Sequence, residues 1–324
     1  MNAGTQQHQI WVSPVFTPWQ QFKRDPAFFL AQRLYERRTP IQPPPSASAS
    51  LPPSSLPVSV VCISDTHNTQ PEIPDGDLLL HAGDLTKYGS FEELQAQLTW
   101  LNSLPHQHKV VIAGNHDRLL DPDYVARFPD RICEGEGTSR ADLNWGDITY
   151  LDGSSARLCF RIGRSIILFG SPLTPAYGTF AFQYPDIRSV WPNMIPQDTD
   201  ILLTHGPPRG YLDDGGKGCP QLLKDICRAR PRLAVFGHIH PGHGVEHLEY
   251  DGMQRAYDGM MAGNKGLFAV LLMACQLIGE RLWSAVTRRQ ERSCRTPRGT
   301  TLVNAAVVQG RNNEIHHPAV VVSI

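Results

Sequence analysis

The sequence predicts an α/β domain carried on a mixed β-sheet. Two patterns predict it: short apolar runs alternate with stretches of helical periodicity, and two neighbouring runs are joined by a tight turn, as in a hairpin. A third observation sets the scale. The 41% hydrophobic share of 324 residues supplies enough apolar side chain for a core without disulfide staples.

Taken in order, residues 1–39 form an arm with one amphipathic helix. Asp25 is its cap, Pro26 its first helical position, and Phe28, Phe29, Leu30, Leu34 and Tyr35 its apolar residues. Residues 40–57, PIQPPPSASASLPPSSLP, hold 12 Pro or Ser in 18 positions and read as a semi-extended linker. The domain is therefore expected over 58–324. Its strands are VSVVCIS from Val58, DLLLHAG from Asp77, KVVIAG from Lys109, DILLTH from Asp200 and LAVFGH from Leu233. Helices are expected at 90–104 and 219–229. RLCFRIG and SIILFGS, joined at Gly163 and Arg164, are the hairpin that makes the sheet mixed. TTLVNAAVV and AVVVSI close the chain as two β-like runs.

Residues 251–300 break this rhythm and read as an insertion, apolar first and basic afterwards. From Leu267 to Gly279 only Gln276 is strongly polar, but these 13 residues fall short of the ~20 needed to cross a bilayer. A buried helix is the favoured reading, and peripheral membrane contact through 267–286 is the alternative. The following TRRQERSCRTPRG reads as a solvated basic loop.

Charge and cysteine usage narrow the function. Lys and Arg total 30, Asp and Glu 31, and the formal charge is -1, so no bulk field recruits nucleic acid or an anionic membrane. A general polyanion binder is disfavoured, and so is a nuclease. Seven scattered cysteines, an odd number with no CxxC pair, argue against a disulfide scaffold or a Cys-type zinc site. The start, MNAGTQQHQIWVSP, lacks the basic-then-apolar order of a secretory signal. A cytoplasmic protein is expected.

The chemistry lies where the apolar runs end. Asp65, Thr66 and His67 follow the first; Gly83 and Asp84 the second; Gly114, Asn115, His116 and Asp117 the third; His205 and Gly206 the fourth; Gly237, His238, Ile239 and His240 the fifth. In open α/β sheets the carboxyl ends of strands face the functional crevice, so these groups can converge. Asp65 with His67 and His238 with His240 are i, i+2 pairs, which point the same way on extended backbone. Mixed imidazole, carboxylate and amide ligands suit zinc, manganese or iron better than calcium.

Asp65, His67, Asp84, Asn115, His205, His238 and His240 are too many ligands for one ion that keeps a position open, and they suggest two divalent ions sharing a carboxylate. Such a centre, with two aspartates and a bridging hydroxide, carries about +1 and attracts a phosphoryl anion. His81, inside an apolar run, reads as a core histidine and is set apart.

DTH, GD, GNHD, HGPP and GHIH, in this order, resemble the five signature blocks of the calcineurin-like metallophosphoesterase superfamily. LLHAGDLTKYGS, VIAGNHD, THGPPRGYLD and FGHIHPGHG are similar to its metallophosphoesterase-domain-containing subfamily, related to class III cyclic-nucleotide phosphodiesterases. The likeness covers about 58–250. It implies a four-layer α/β/β/α sandwich of two mixed sheets. It further implies a first ion on Asp65, His67 and His240, a second on Asn115, His205 and His238, and Asp84 bridging. His116 would be the general acid, with Asp117 an orienting neighbour. The implied reaction is in-line attack by a bridging hydroxide on a small-molecule phosphoester, here a phosphodiester such as a cyclic nucleotide. A phosphomonoesterase or protein Ser/Thr phosphatase is the alternative within catalysis, and a non-catalytic metal-binding scaffold is the alternative outside it.

Overall fold

Two mixed sheets face one another, and the site grows from their edges. The computed structural model describes residues 17–37, 56–132, 137–185, 187–261, 266–287, 299–310 and 312–324. In the first sheet β1 (Ser59–Ile63), β2 (Leu78–His81), β3 (His108–Val111) and β4 (Ile148–Tyr150) run parallel, and β15 (Val320–Ser323) pairs antiparallel with β1. In the second, β6 (Ser165–Ser171), β9 (Ile201–Thr204), β10 (Leu233–Phe236) and β12 (Gly299–Asn304) run parallel in that spatial order. The antiparallel strands β5 (Ser154–Cys159) and β11 (Gly244–Glu249) flank them. The hairpin expected around Gly163 is the β5–β6 pair, in which Cys159 faces Ser165. Two short pairs complete the set: β7 (Thr174–Pro175) with β8 (Gln183–Tyr184), and β13 (Val308–Gln309) with β14 (Glu314–Ile315).

The inner strands are mostly apolar, and β2, β9 and β10 are buried at every position, because both faces are covered. Between the sheets, Val60, Leu80 and Val110 meet Leu168, Leu203 and Val235 in one cluster. The outer face of the first sheet, through Val61, Leu79 and Val111, packs on Leu94, Leu98 and Leu101 of α3 (Phe91–Ser103) and on Tyr124 of α4 (Pro122–Arg127). The outer face of the second sheet, through Leu202, Ala234 and Phe236, packs on α5 (Pro220–Ala229) and the helices around it. Four layers result, α/β/β/α. Local signals set the helix starts: Ser90 and Glu93 form a capping box on α3, and Pro220 opens α5.

The arm is part of this outer layer. It holds two helices where the sequence suggests one, α1 (Pro18–Arg24) and α2 (Pro26–Glu36), with Asp25 accepting the Phe28 N–H as the α2 cap. Tyr35, 7% exposed, stacks on Tyr257 at 4.1 Å and donates its hydroxyl to Gln254 Oε1 at 2.8 Å. Replacing so large a buried ring, Tyr35→Ala, is expected to cost about 3–5 kcal/mol, read from the urea midpoint. An unchanged midpoint would show the arm to be dispensable. Nearly all of the Pro/Ser linker, and all of the basic stretch 288–298, lie outside the described residues.

The apolar insertion is two helices, α6 (Gly252–Met261) and α7 (Leu267–Thr287). The buried-helix reading of 267–279 holds for one face only. Ala269, Met273 and Leu277 are buried, whereas Leu267, Phe268, Leu271 and Ile278 are 58–77% exposed. The reason is position: α7 packs against α2 and α6 on the outside of the outer helical layer. An all-round apolar sequence carries no periodicity that could signal a bare face. Among the described residues no helix is long and apolar enough to cross a membrane.

Candidate metal centre

Each predicted ligand leaves a strand end on a sharp turn. Asp65, His67, Asp84 and His238 adopt φ values of 55°, 43°, 54° and 66°, in the left-handed region that side chains rarely occupy. Backbone bonds hold these turns against one another: Asp65 N–H donates to Gly83 O, and His67 N–H to Asp84 O. At Gly237 a Cβ would stand 2.0 Å from Asp65 Oδ2, and at Gly114 one would stand 2.2 Å from Asp84 Oδ1, so the two loops close on the carboxylates only as glycine.

The seven expected ligands do come together. Ligand atoms of Asp65, His67 and His240 lie within 4.8 Å of one another, as do those of Asp84, His205 and His238, and those of His67, Asp84 and His116. Asp84 Oδ2 stands 3.7 Å from His67 Nε2 and 3.4 Å from His205 Nε2, facing both outer groups. Asn115 Oδ1 lies 3.0 Å from His205 Nε2, and His240 Nε2 lies 3.3 Å from Asp65 Oδ1. Asp65, His67, Asp84 and Asn115 follow strands of the first sheet; His205, His238 and His240 follow strands of the second. Each cage thus draws on both sheets. Extended backbone is not what pairs these residues. The left-handed turns put Asp65 and His67 in one group but send His238 and His240 to different ones.

The donor set fits cations. His67 Nδ1 meets Thr86 O at 3.1 Å, His205 Nδ1 meets Ala82 O at 2.8 Å, and His116 Nδ1 meets Lys87 O at 2.8 Å. A carbonyl only accepts, so each Nδ1 carries the proton and each Nε2 is turned toward the cluster, the arrangement that holds an imidazole ready for a metal. Burial drives the pKa of His67 down to about 4 and that of His238 to about 3. Burial works against ionisation of Asp84, yet His205 and His116 hold its carboxyl well below the usual range. For Asp65, burial is likewise outweighed by His240. His205 and His240 are the exceptions: burial opposes their charge, but Asp84 raises the pKa of His205 to about 9 and Asp65 raises that of His240, so a bound cation would take the place of a proton.

One sequence expectation needs refinement. Asp117 is fully buried and accepts from Gly114 N, Leu85 N, Thr86 N and Thr86 Oγ1 at 2.7–3.2 Å. It ties the Asp84 loop to the Asn115 loop, and the contact that orients the His116 ring comes from the Lys87 carbonyl instead. His81 is a core histidine, with Nε2 on Thr66 Oγ1 at 3.0 Å. Sequence patterns gave no sign of two aromatic neighbours: Phe180 sits 5.3 Å from His116 and Tyr177 5.2 Å from His238, ring centre to ring centre.

Residues 58–242, more than half of the chain and all of the expected ligands, match the family model described as Calcineurin-like phosphoesterase. The chain belongs to this family. Among relatives of this calcineurin-like phosphoesterase is human Metallophosphoesterase domain-containing protein 1, 38% identical over 205 residues, covering 57% of this chain and 61% of that protein. "UPF0046 protein K07C11.7" of Caenorhabditis elegans is 37% identical over 196 residues, 58% of this chain and 65% of its own length. A protein of Emericella nidulans named "Probable rhamnogalacturonate lyase C" is 40% identical over 312 residues, which is 94% of this chain but 27% of that protein. The chain therefore spans 27–65% of the length of these curated relatives.

Proposed function

We propose that the chain is a dinuclear-metal-dependent phosphoesterase that hydrolyses phosphodiesters, cyclic nucleotides among them. One observation carries the reading: a single carboxylate oxygen, Asp84 Oδ2, faces imidazoles of both outer ligand groups. Asp65, His67 and His240 would hold one ion, Asn115, His205 and His238 the other, with Asp84 between them. Two such ions, Mn, Fe or Zn, supply Lewis acidity to phosphoryl oxygens and lower the pKa of a water from 15.7 to roughly 7–9.

The chain's own residues do the rest. Asp84 accepts the His116 N–H through Oδ1 at 2.7 Å, fixing the residue that we assign as general acid. Lys87 O engages Nδ1, so the mobile proton of His116 is the one on Nε2, on the cluster side. Asp117 acts as a positioning residue that keeps the two loops in register. Cys62, Cys159, Cys219, Cys227 and Cys275 are free thiols, which supports a reducing, cytoplasmic setting.

The test joins elemental analysis to rates on bis(p-nitrophenyl) phosphate and p-nitrophenyl phosphate. Two divalent ions per chain and a preference for the diester are expected, with activity lost to a chelator and restored by manganese. Preference for the monoester would replace the diesterase reading, and no turnover by the metal-loaded protein would leave a scaffold.

A further inference from the structure

We propose that Tyr177 and Phe180 form an aromatic ledge that selects esters carrying a planar ring, an aryl group or a nucleobase, by stacking. The proposal rests on the phosphoesterase reading and adds what the organic part of the substrate must be. The two rings stack on each other at 5.2 Å with planes 29° apart. One end of the pair abuts His116 at 5.3 Å and the other abuts His238 at 5.2 Å, so the ledge runs from the assigned acid to a ligand of the second ion. Tyr177 nevertheless remains 57% exposed, leaving apolar ring surface open beside a charged centre.

The segment that carries the ledge is built to hold it still. Ala181 N–H donates to the backbone oxygen of Asn115, Phe182 N–H to the Asp121 carboxylate at 2.6 Å, and Thr174 N–H to Phe182 O at 3.0 Å. Phe182 takes a φ of 55°, a costly conformation for a bulky residue that these three bonds over-determine. At Gly178 a Cβ would approach the Phe180 ring to 2.9 Å, so the absence of a side chain there lets that ring fold back beside His116. A fixed aromatic surface next to a phosphate-binding centre is how ring-bearing phosphates are favoured over aliphatic ones, since every base or aryl group offers a π-face.

The test measures binding to the metal-loaded protein by calorimetry, using two pairs of ligands that differ only in the ring. Phenylphosphonate is expected to bind about 5–150-fold more tightly than methylphosphonate, the range that stacking on one aromatic side chain supports. AMP against ribose 5-phosphate asks whether a nucleobase is favoured in the same way, which separates the two sources of the ring. Tyr177→Leu and Phe180→Leu should each shrink the preference, and Tyr177→Phe, which keeps the ring, should retain it. A wild-type ratio near one in both pairs, or a ratio that survives Tyr177→Leu combined with Phe180→Leu, overturns the ledge. Loss of the ratio in Tyr177→Phe overturns it too, because the hydroxyl would then be responsible. Failure of methylphosphonate itself to bind would instead count against the phosphoesterase reading.

Discussion

Asp84→Asn is expected to lower the metal content from two ions per chain to one or none and to reduce hydrolysis by roughly 10³-fold or more. The amide keeps the size of the side chain and an acceptor for the His116 N–H, so the loops should retain their shape. What disappears is the negative charge that faces His67 and His205 from one oxygen. The two cages would then lose their shared anion, and two divalent ions at close range would repel with only Asp65 left as a carboxylate to offset them. Elemental analysis, steady-state rates and a near-ultraviolet circular dichroism spectrum check this together. A native spectrum with two retained ions and more than half the activity would remove Asp84 from the bridging position.

His116→Ala separates proton donor from ligand. Geometry alone allows both roles, because His116 shares ligand-distance contact with His67 and Asp84. As general acid, its loss should cost about 10²–10⁴-fold on esters with alkoxide leaving groups, and far less where p-nitrophenolate departs without needing a proton. Two ions per chain should remain. Equal losses on both classes of ester, or departure of one ion, would make His116 a ligand.

Much of this architecture is readable before any coordinates. The apolar runs at Val58, Asp77, Lys109, Asp200 and Leu233 become β1, β2, β3, β9 and β10 because inner strands need apolar side chains on both faces. The ligands are readable for a related reason: they lie at the end of each run or within three residues of it, and strand ends point to one crevice. The parts that stay hidden depend on tertiary packing. Nothing in the sequence separates the covered face of α7 from its bare one, because both are apolar. The role of Asp117 follows from four backbone and hydroxyl donors brought together by folding, not from its place in GNHD. The Tyr177–Phe180 pair sits on a segment set by a left-handed Phe182 and bonds to Asn115 and Asp121, a conformation with no turn signature in its letters.

The mixed ancestry of each cage bears on how the protein resists unfolding. One ion would be grasped by Asp65 and His67 from one half of the sandwich and His240 from the other; its twin would be grasped by Asn115 and Asp84 against His205 and His238. The ions would therefore act as clasps across a seam otherwise closed by greasy contacts and a few hydrogen bonds, such as His238 N–H to the Asp65 carboxylate, and prying the halves apart would mean giving up both. Cohesion of the whole sandwich would then rise and fall with the supply of metal, by mass action, as well as with the chemistry performed there.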